Sequence, residues 1–252
     1  MKANRIIIAL VMLMAGMSSC QDWFDVSPKA DVKAEDMFEA ESGFRDILTG
    51  VYGLMIHENL YGRQLTFGYT DVLAQYYAIP DETHEFAQLA KYQYKDVNIS
   101  PKIDEMWLGL YFCIANCNIL LERLEEVGPD FFEDERTYYI LHGEARALRA
   151  FFHFDLLRLF APSYKADPGY TAIPYITKYS NKVSPQKTVS EVIDSVIVDL
   201  KAAVTDLEGR DPIFDPLYQA TTGSDMYMWT QPMPDRNEFL SYRGFRLTPA
   251  QQ

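Results

Sequence analysis

The chain runs to 252 residues with 48% apolar side chains, long enough for one or two domains with a sizeable core and too apolar to stay disordered. Its 36 acidic residues outnumber 23 Lys and Arg, and the net charge of −13 offers no cationic field to a phosphate backbone, so nucleic acid is not expected as a partner. The 17 Tyr, 15 Phe and 3 Trp give more flat ring surface than a core requires, and three cysteines are too few for a disulfide framework.

Lys2 and Arg5 precede a short apolar run over residues 6–15, and Gly16, Ser18 and Ser19 lead into Cys20, the order of a secretory leader. The run is too short to span a bilayer. The tetrad Met17-Ser18-Ser19-Cys20 resembles a bacterial lipobox, with Met where Leu is usual. Cleavage before Cys20 and lipidation of its sulfur are therefore expected, against the competing reading of a plain cleavage site with an incidental cysteine. Acyl chains there would anchor the protein durably, since each buried methylene contributes about 0.8 kcal/mol. Residues 1–19 are read as the leader and 20–34 as a lipid-anchored tether carrying an extended residue before Pro28.

From residue 35 to about residue 57, Met37, Phe44, Ile47, Leu48, Val51 and Met55 recur with a helical period and predict a first amphipathic helix. Residues 58–101 lack a sustained period, carry Gly62, Gly68 and Pro80, and concentrate tyrosines, which predicts loop with short elements. Ile103, Trp107, Leu110, Ile114, Cys117, Leu121 and Leu124 follow at spacings alternating between four and three, a continuous stripe that Gly128-Pro129 ends. Cys113 and Cys117 lie four apart on this second helix, where a disulfide is disfavoured and no third metal ligand is evident, so they read as small buried apolar residues.

A third helix is predicted from about Arg136 to Phe160, ended by Ala161-Pro162. Leu141, Ala145, Leu148, Phe152 and Leu159 share one face, while Ile140, Ala147, Phe151 and Phe154 lie nearly opposite. Such a helix needs neighbours on both sides, as in a stacked helical array. Between the two faces His142, Arg146, Arg149 and His153 form a narrow basic stripe, expected to pair with carboxylates of an adjoining helix rather than to hold an anion. Glu144 and Asp155 lie on another side and cannot neutralise it. Thr188-Val189-Ser190-Glu191 is a capping box opening a fourth helix, with Ile193, Val196, Ile197, Leu200, Val204 and Leu207 as its expected buried stripe.

Past Gly209 the prolines and glycines leave some forty residues without a periodic element, longer than a compact domain ordinarily carries. Residues 35–208 are read as one helical domain. Residues 209–252 are read as an irregular tail that either folds on something absent or begins a further part of a longer chain.

The sequence Glu-Ala-Arg-Ala-Leu-Arg-Ala-Phe-Phe-His-Phe-Asp-Leu-Leu-Arg-Leu-Phe over residues 144–160 resembles the signature helix of the SusD-like (RagB/SusD) family of Bacteroidetes. Ala161 stands where that family has glycine, and Ile173-Pro174 arrives late, after an apparent insertion around residues 164–170. Trp107, Tyr111, Asn116, Cys117 and Asn118 fit its preceding helix, residues 25–28 its Asp-Val-x-Pro, and residues 188–207 its next helix. The resemblance implies an all-α, mostly helical fold of tetratricopeptide-like helix pairs in a right-handed array with long irregular loops. It also implies an outer-membrane lipoprotein facing the cell exterior that captures oligosaccharides, or in some members peptides, for a SusC-like TonB-dependent transporter. Only the N-terminal half of such a protein is matched, and ligand contacts from the other half are missing.

No hydrolase, phosphate-loop or dinucleotide signature occurs, so neither catalysis nor a cofactor is expected. Acid pairs such as Asp81 with Glu82 are expected by chance among 36 acids. Capture of a sugar needs rings that lie on the apolar face of a pyranose and polar groups that reach its hydroxyls. The tyrosine-rich loop is the best place for both, with Tyr76, Tyr77, Asp81, His84 and Tyr92 as candidate ligand contacts. The alternative is that these tyrosines only cover the core with wet hydroxyls. Trp107 and Tyr111 are read as core, and Trp229 with Tyr218 and Tyr227 as a second aromatic group in the tail. A purely protein-binding helical scaffold is the rival to glycan capture.

Overall fold

The computed structural model describes residues 36–180 and 182–212. Cys20, the tether and the aromatic group around Trp229 lie outside them. The chain divides into two units at residues 39 and 40. The described part of the first is a single 3-10 turn, Asp36–Glu39, and every α-helix among the described residues belongs to the second. These helices are α1 (Glu41–Met55), α2 (Tyr69–Leu73), α3 (Ala87–Ala90), α4 (Ser100–Val127), α5 (Glu135–Phe160) and α6 (Val189–Leu207). Among the described residues no strand forms, and extended pairing is confined to a bridge between Thr171 and Thr188.

Local sequence explains the helix ends. The first helix starts six residues later than its period suggests, because Ala40 is extended (φ −133°, ψ 152°) and α1 begins only at Glu41, whose carboxylate takes the Arg45 guanidinium at 2.6 Å one turn on. Gly128 stops α4 with φ +73°, a conformation that costs an L side chain about 1–2 kcal/mol. Asp134 caps α5 by accepting the Arg136 N–H at 3.0 Å, and extended Ala161 ends it ahead of Pro162. The capping box of α6 is formed on both sides: Thr188 Oγ1 accepts the Glu191 N–H at 3.3 Å, and the Glu191 carboxylate accepts the Thr188 N–H at 2.8 Å.

Helix α5 lies between its neighbours as its two apolar faces require. Leu141, Ala145, Leu148 and Phe152 are buried on one face, and Ile140 and Ala147 on the other. Phe154 departs from this pattern: it is exposed near the helix end and carries the Arg158 guanidinium 5.7 Å over its ring. Pairings fix the directions. Arg45 donates to Thr137 and Tyr52 to Glu144, so α1 runs parallel to α5. Arg149 meets Asp199 and His142 meets Asp206, so α6 runs antiparallel to it. The approach to α6 is close: a Cβ on Gly143 would lie 2.7 Å from Leu207 Cγ, so only glycine fits there.

The charges of α5 separate by side. Asp155 is buried and accepts the Tyr61 hydroxyl at 2.7 Å, which together with burial drives that hydroxyl's pKa upward. The basic stripe turns the other way, and carboxylates of α6 take two of its four members, while Arg146 lies 3.9 Å from Glu125 of α4. The Arg149 guanidinium grips Asp199 through two bonds of 2.7 and 2.8 Å, and His142 Nδ1 lies 2.8 Å from Asp206. Arg149 also donates to Asn118 of α4 at 3.0 Å, and Tyr175 donates to Asp199 at 2.6 Å. His153 Nδ1–H bonds the Arg149 carbonyl at 2.8 Å while Nε2 accepts the Ile176 N–H at 3.0 Å, and its ring stacks on Tyr175 at 3.9 Å. Residues 172–177 are thereby strapped into the groove of α4, α5 and α6.

This pairing corrects the expected stripe of α6. The buried positions are Val189, Val192, Val196, Asp199, Ala203 and Leu207, whereas Ile197 and Val204 are exposed. Asp199 must face Arg149, and that sets the helix's rotation about its axis. On α4 the stripe from Leu110 to Leu124 is buried as read, while Trp107 and Tyr111 are half-buried. Trp107 packs edge-on against Phe160 at 4.8 Å, and Tyr111 donates to the Pro174 carbonyl at 2.9 Å. Cys113 and Cys117 are both buried, and burial pushes the Cys113 thiol up to about 12.

Arg149→Ala leaves Asp199 buried without its cation, and we expect a loss of about 3–5 kcal/mol in urea unfolding, most of it recovered when both residues become Leu. Burial holds the neutral form of His153, taking its pKa from 6.5 down to about 3. Between those values the unfolded chain holds the extra proton. Stability is therefore complete above pH 6.5 and falls as pH drops toward 3. His153→Gln should flatten the dependence of the urea midpoint across that window.

Candidate functional site

Residues 58–99 carry two short helices, α2 and α3, joined by a projecting loop. Their C-terminal ends are tied together by two residues held at positive φ, Gln75 (60°) and Tyr92 (58°). Gln75 Nε2 donates to the carbonyls of Val72 and Ala90 at 3.2 and 3.1 Å, and the Tyr92 hydroxyl donates to the Leu73 carbonyl at 3.2 Å. Left-handed backbone at two non-glycine residues costs of order 1–3 kcal/mol each, which these bonds offset. Phe86 is buried beneath the loop, edge-on to Tyr69 at 5.7 Å, with the Arg63 guanidinium 5.2 Å from its centroid. Arg63 itself is held by Glu58 at 2.7 Å and by Glu85.

Above Phe86 the loop folds back to enclose a half-open cavity of about 270 Å³, lined by Tyr77, residues 78–80, Asp81, His84 and Phe86. Three of the five expected contacts, Tyr77, Asp81 and His84, share this lining. Tyr76 does not: it is 77% exposed and lies outside the lining. Tyr92 lies outside the lining too, where its hydroxyl closes α2. Phe86 and residues 78–80 form the floor and were not singled out in the sequence, because an isolated apolar residue in an aperiodic stretch carries no pattern. The ring of Tyr69 brought over from α2 and the Arg63 guanidinium cover Phe86.

Each polar wall group has a defined role. Asp81 Oδ1 accepts the backbone N–H of Thr83 at 2.8 Å and its hydroxyl at 2.7 Å, and these bonds hold the carboxyl below its usual range. His84 Nδ1 accepts the Phe86 N–H at 3.1 Å, which leaves the proton of the neutral ring on Nε2 as a donor. The Tyr77 hydroxyl donates to Asp71 at 3.3 Å, leaving the ring face as its contribution to the cavity; desolvation and that carboxylate raise its pKa. Asp81 is the one carboxylate in the lining, whereas glycoside hydrolysis uses two facing acids. An apolar floor, a ring, one acceptor and one donor are the parts of a binding site.

Residues 22–216 match the family model described as SusD-like, starch-binding and associating with the outer membrane. The chain belongs to the SusD-like family. It is 24% identical over 211 residues to SusD-like protein P25 of Formosa agariphila, covering 82% of this chain and 38% of that one. A SusD superfamily protein of Bacteroides vulgatus superposes with a TM-score of 0.55 at 22% identity, over 66% of this chain and 37% of the other. A SusD-like carbohydrate binding protein of the same organism does so with a TM-score of 0.52 at 20% identity, over 66% and 35%. These likenesses establish the helical fold. The chain spans less than two fifths of the length of each of these three.

Floor and rim should respond differently to truncation. Phe86→Ala is expected to cost about 3–5 kcal/mol in denaturant unfolding, whereas Tyr77→Ala should stay within about 0.5 kcal/mol of the parent.

Proposed function

We infer that this protein is a non-catalytic glycan-binding lipoprotein of the bacterial surface. It captures oligosaccharides and passes them to a SusC-like TonB-dependent transporter. The observation that carries the reading is the cavity whose lining brings Tyr77, Asp81 and His84 together with Phe86. Membership of a family described as starch-binding and associating with the outer membrane supports it. So does the leader-like N-terminus ending at Cys20, which would supply the membrane anchor and leave the energy of transport to the partner. The domain reading above, with the leader over 1–19 and helical body over 35–208, belongs to the same proposal.

A second reading, a helical scaffold that binds protein or peptide, is favoured by one specific feature. Leu108 and Phe112 stand one turn apart on α4 with 66% and 58% of their surface exposed. Apolar side chains so placed suit a protein contact better than a sugar.

Affinity electrophoresis of the chain without residues 1–20 decides between the two readings. Retardation in a polysaccharide gel with no reducing sugar released is expected, and Tyr77→Ala should weaken the affinity by about three- to tenfold. Absence of retardation by every polysaccharide would favour the scaffold, and released reducing sugar would make the protein a hydrolase.

A further inference from the structure

We propose that the cavity over Phe86 selects neutral sugars bearing vicinal hydroxyls and rejects uronate- and sulfate-bearing ones, with Asp81 and His84 as the specificity-determining pair. This rests on the glycan-capture reading and narrows it to a ligand class.

The argument is one of fixed donors and acceptors. His84 cannot offer its Nδ1 lone pair to a ligand, because the Phe86 N–H occupies it. Its neutral ring therefore presents a donor and only a donor. Asp81 has one oxygen committed to Thr83 twice over, and among the described residues Oδ2 accepts no hydrogen bond. The wall thus pairs an anionic acceptor with a neutral donor. Two adjacent sugar hydroxyls satisfy both, one donating to Asp81 and the other accepting from His84. A carboxylate or sulfate can satisfy only the imidazole and brings its charge toward Asp81.

Among the described residues, the cations seen against the floor and the loop are already paired. Arg63 is the cation nearest the floor, and Glu58 and Glu85 already take it. Lys91, at the far end of α3, is paired with Glu82 of the loop. The repulsion at Asp81 consequently stands uncompensated, within a molecule whose net charge is −13. Residues 78–80 and Phe86 supply the apolar contact that a pyranose face needs and that a charged group does not use.

The test is a glycan array carrying matched pairs, each backbone in a neutral form and in a uronate- or sulfate-bearing form, probed with the full chain in detergent. The neutral member should bind at least about tenfold tighter in every pair that binds. Asp81→Asn, which keeps the Oδ1 acceptor for Thr83, should bring the two members to within about threefold of each other. His84→Asn, whose Oδ1 can still accept the Phe86 N–H, should weaken the neutral member by about tenfold with its melting temperature unchanged. An anionic member that binds as tightly as its neutral partner overturns this inference and leaves glycan capture standing. A tenfold preference that persists in Asp81→Asn overturns the assignment to Asp81. Binding to no member of any pair overturns the capture reading and this inference with it.

Discussion

The bidentate pair of Arg149 with Asp199 is the constraint on which the helical body depends. Both side chains are buried, so neither can fall back on water, and Asn118, Tyr175 and the Thr177 carbonyl complete their hydrogen bonding. A buried ion pair adds little net stability, because desolvation consumes most of the attraction. Its effect is on geometry. With Arg149 opposite Asp199 and His142 opposite Asp206, α5 and α6 have a single register, and α6 a single rotation about its axis.

The same pair organises what passes over it. Tyr175 reaches Asp199, Asn118 reaches both Arg149 and the Ile176 carbonyl, and His153 receives the Ile176 N–H, so an irregular strap with no ladder of its own is held by side chains. Backbone groups in a buried segment must be paired somewhere. Here the polar face of α5 replaces a sheet. On the opposite side, Tyr52 and Tyr61 bring hydroxyls to Glu144 and Asp155, so the one helix binds its neighbours through a basic and an acidic face.

The cavity over Phe86 depends on different physics. It is built outside the helical stack from turns, two strained residues and a few surface ion pairs, which individually contribute little. The pair of Asp81 and His84 is fixed by contacts no further than two residues along the chain, so the chemistry of the wall is local even though its floor is not.

The sequence by itself determined the four long helices, the capping box of α6 and the two-sided character of α5. Period, capping box and glycine stop are local properties, and the spacing of His142, Arg146, Arg149 and His153 on one narrow stripe announced that carboxylates would have to meet it. The same local reading named the tyrosine-rich loop and five candidate residues in it, of which Tyr77, Asp81 and His84 line one cavity. Tertiary structure alone decided the rest. It started α1 at Glu41 through the extended Ala40, and it turned Ile197 and Val204 outward, because a buried charge outranks an apolar side chain in choosing which face of a helix goes inside. It also separated Tyr76 and Tyr92 from the cavity and put Phe86 beneath it. Convergence of groups from turns depends on where the chain returns, and no periodicity records that.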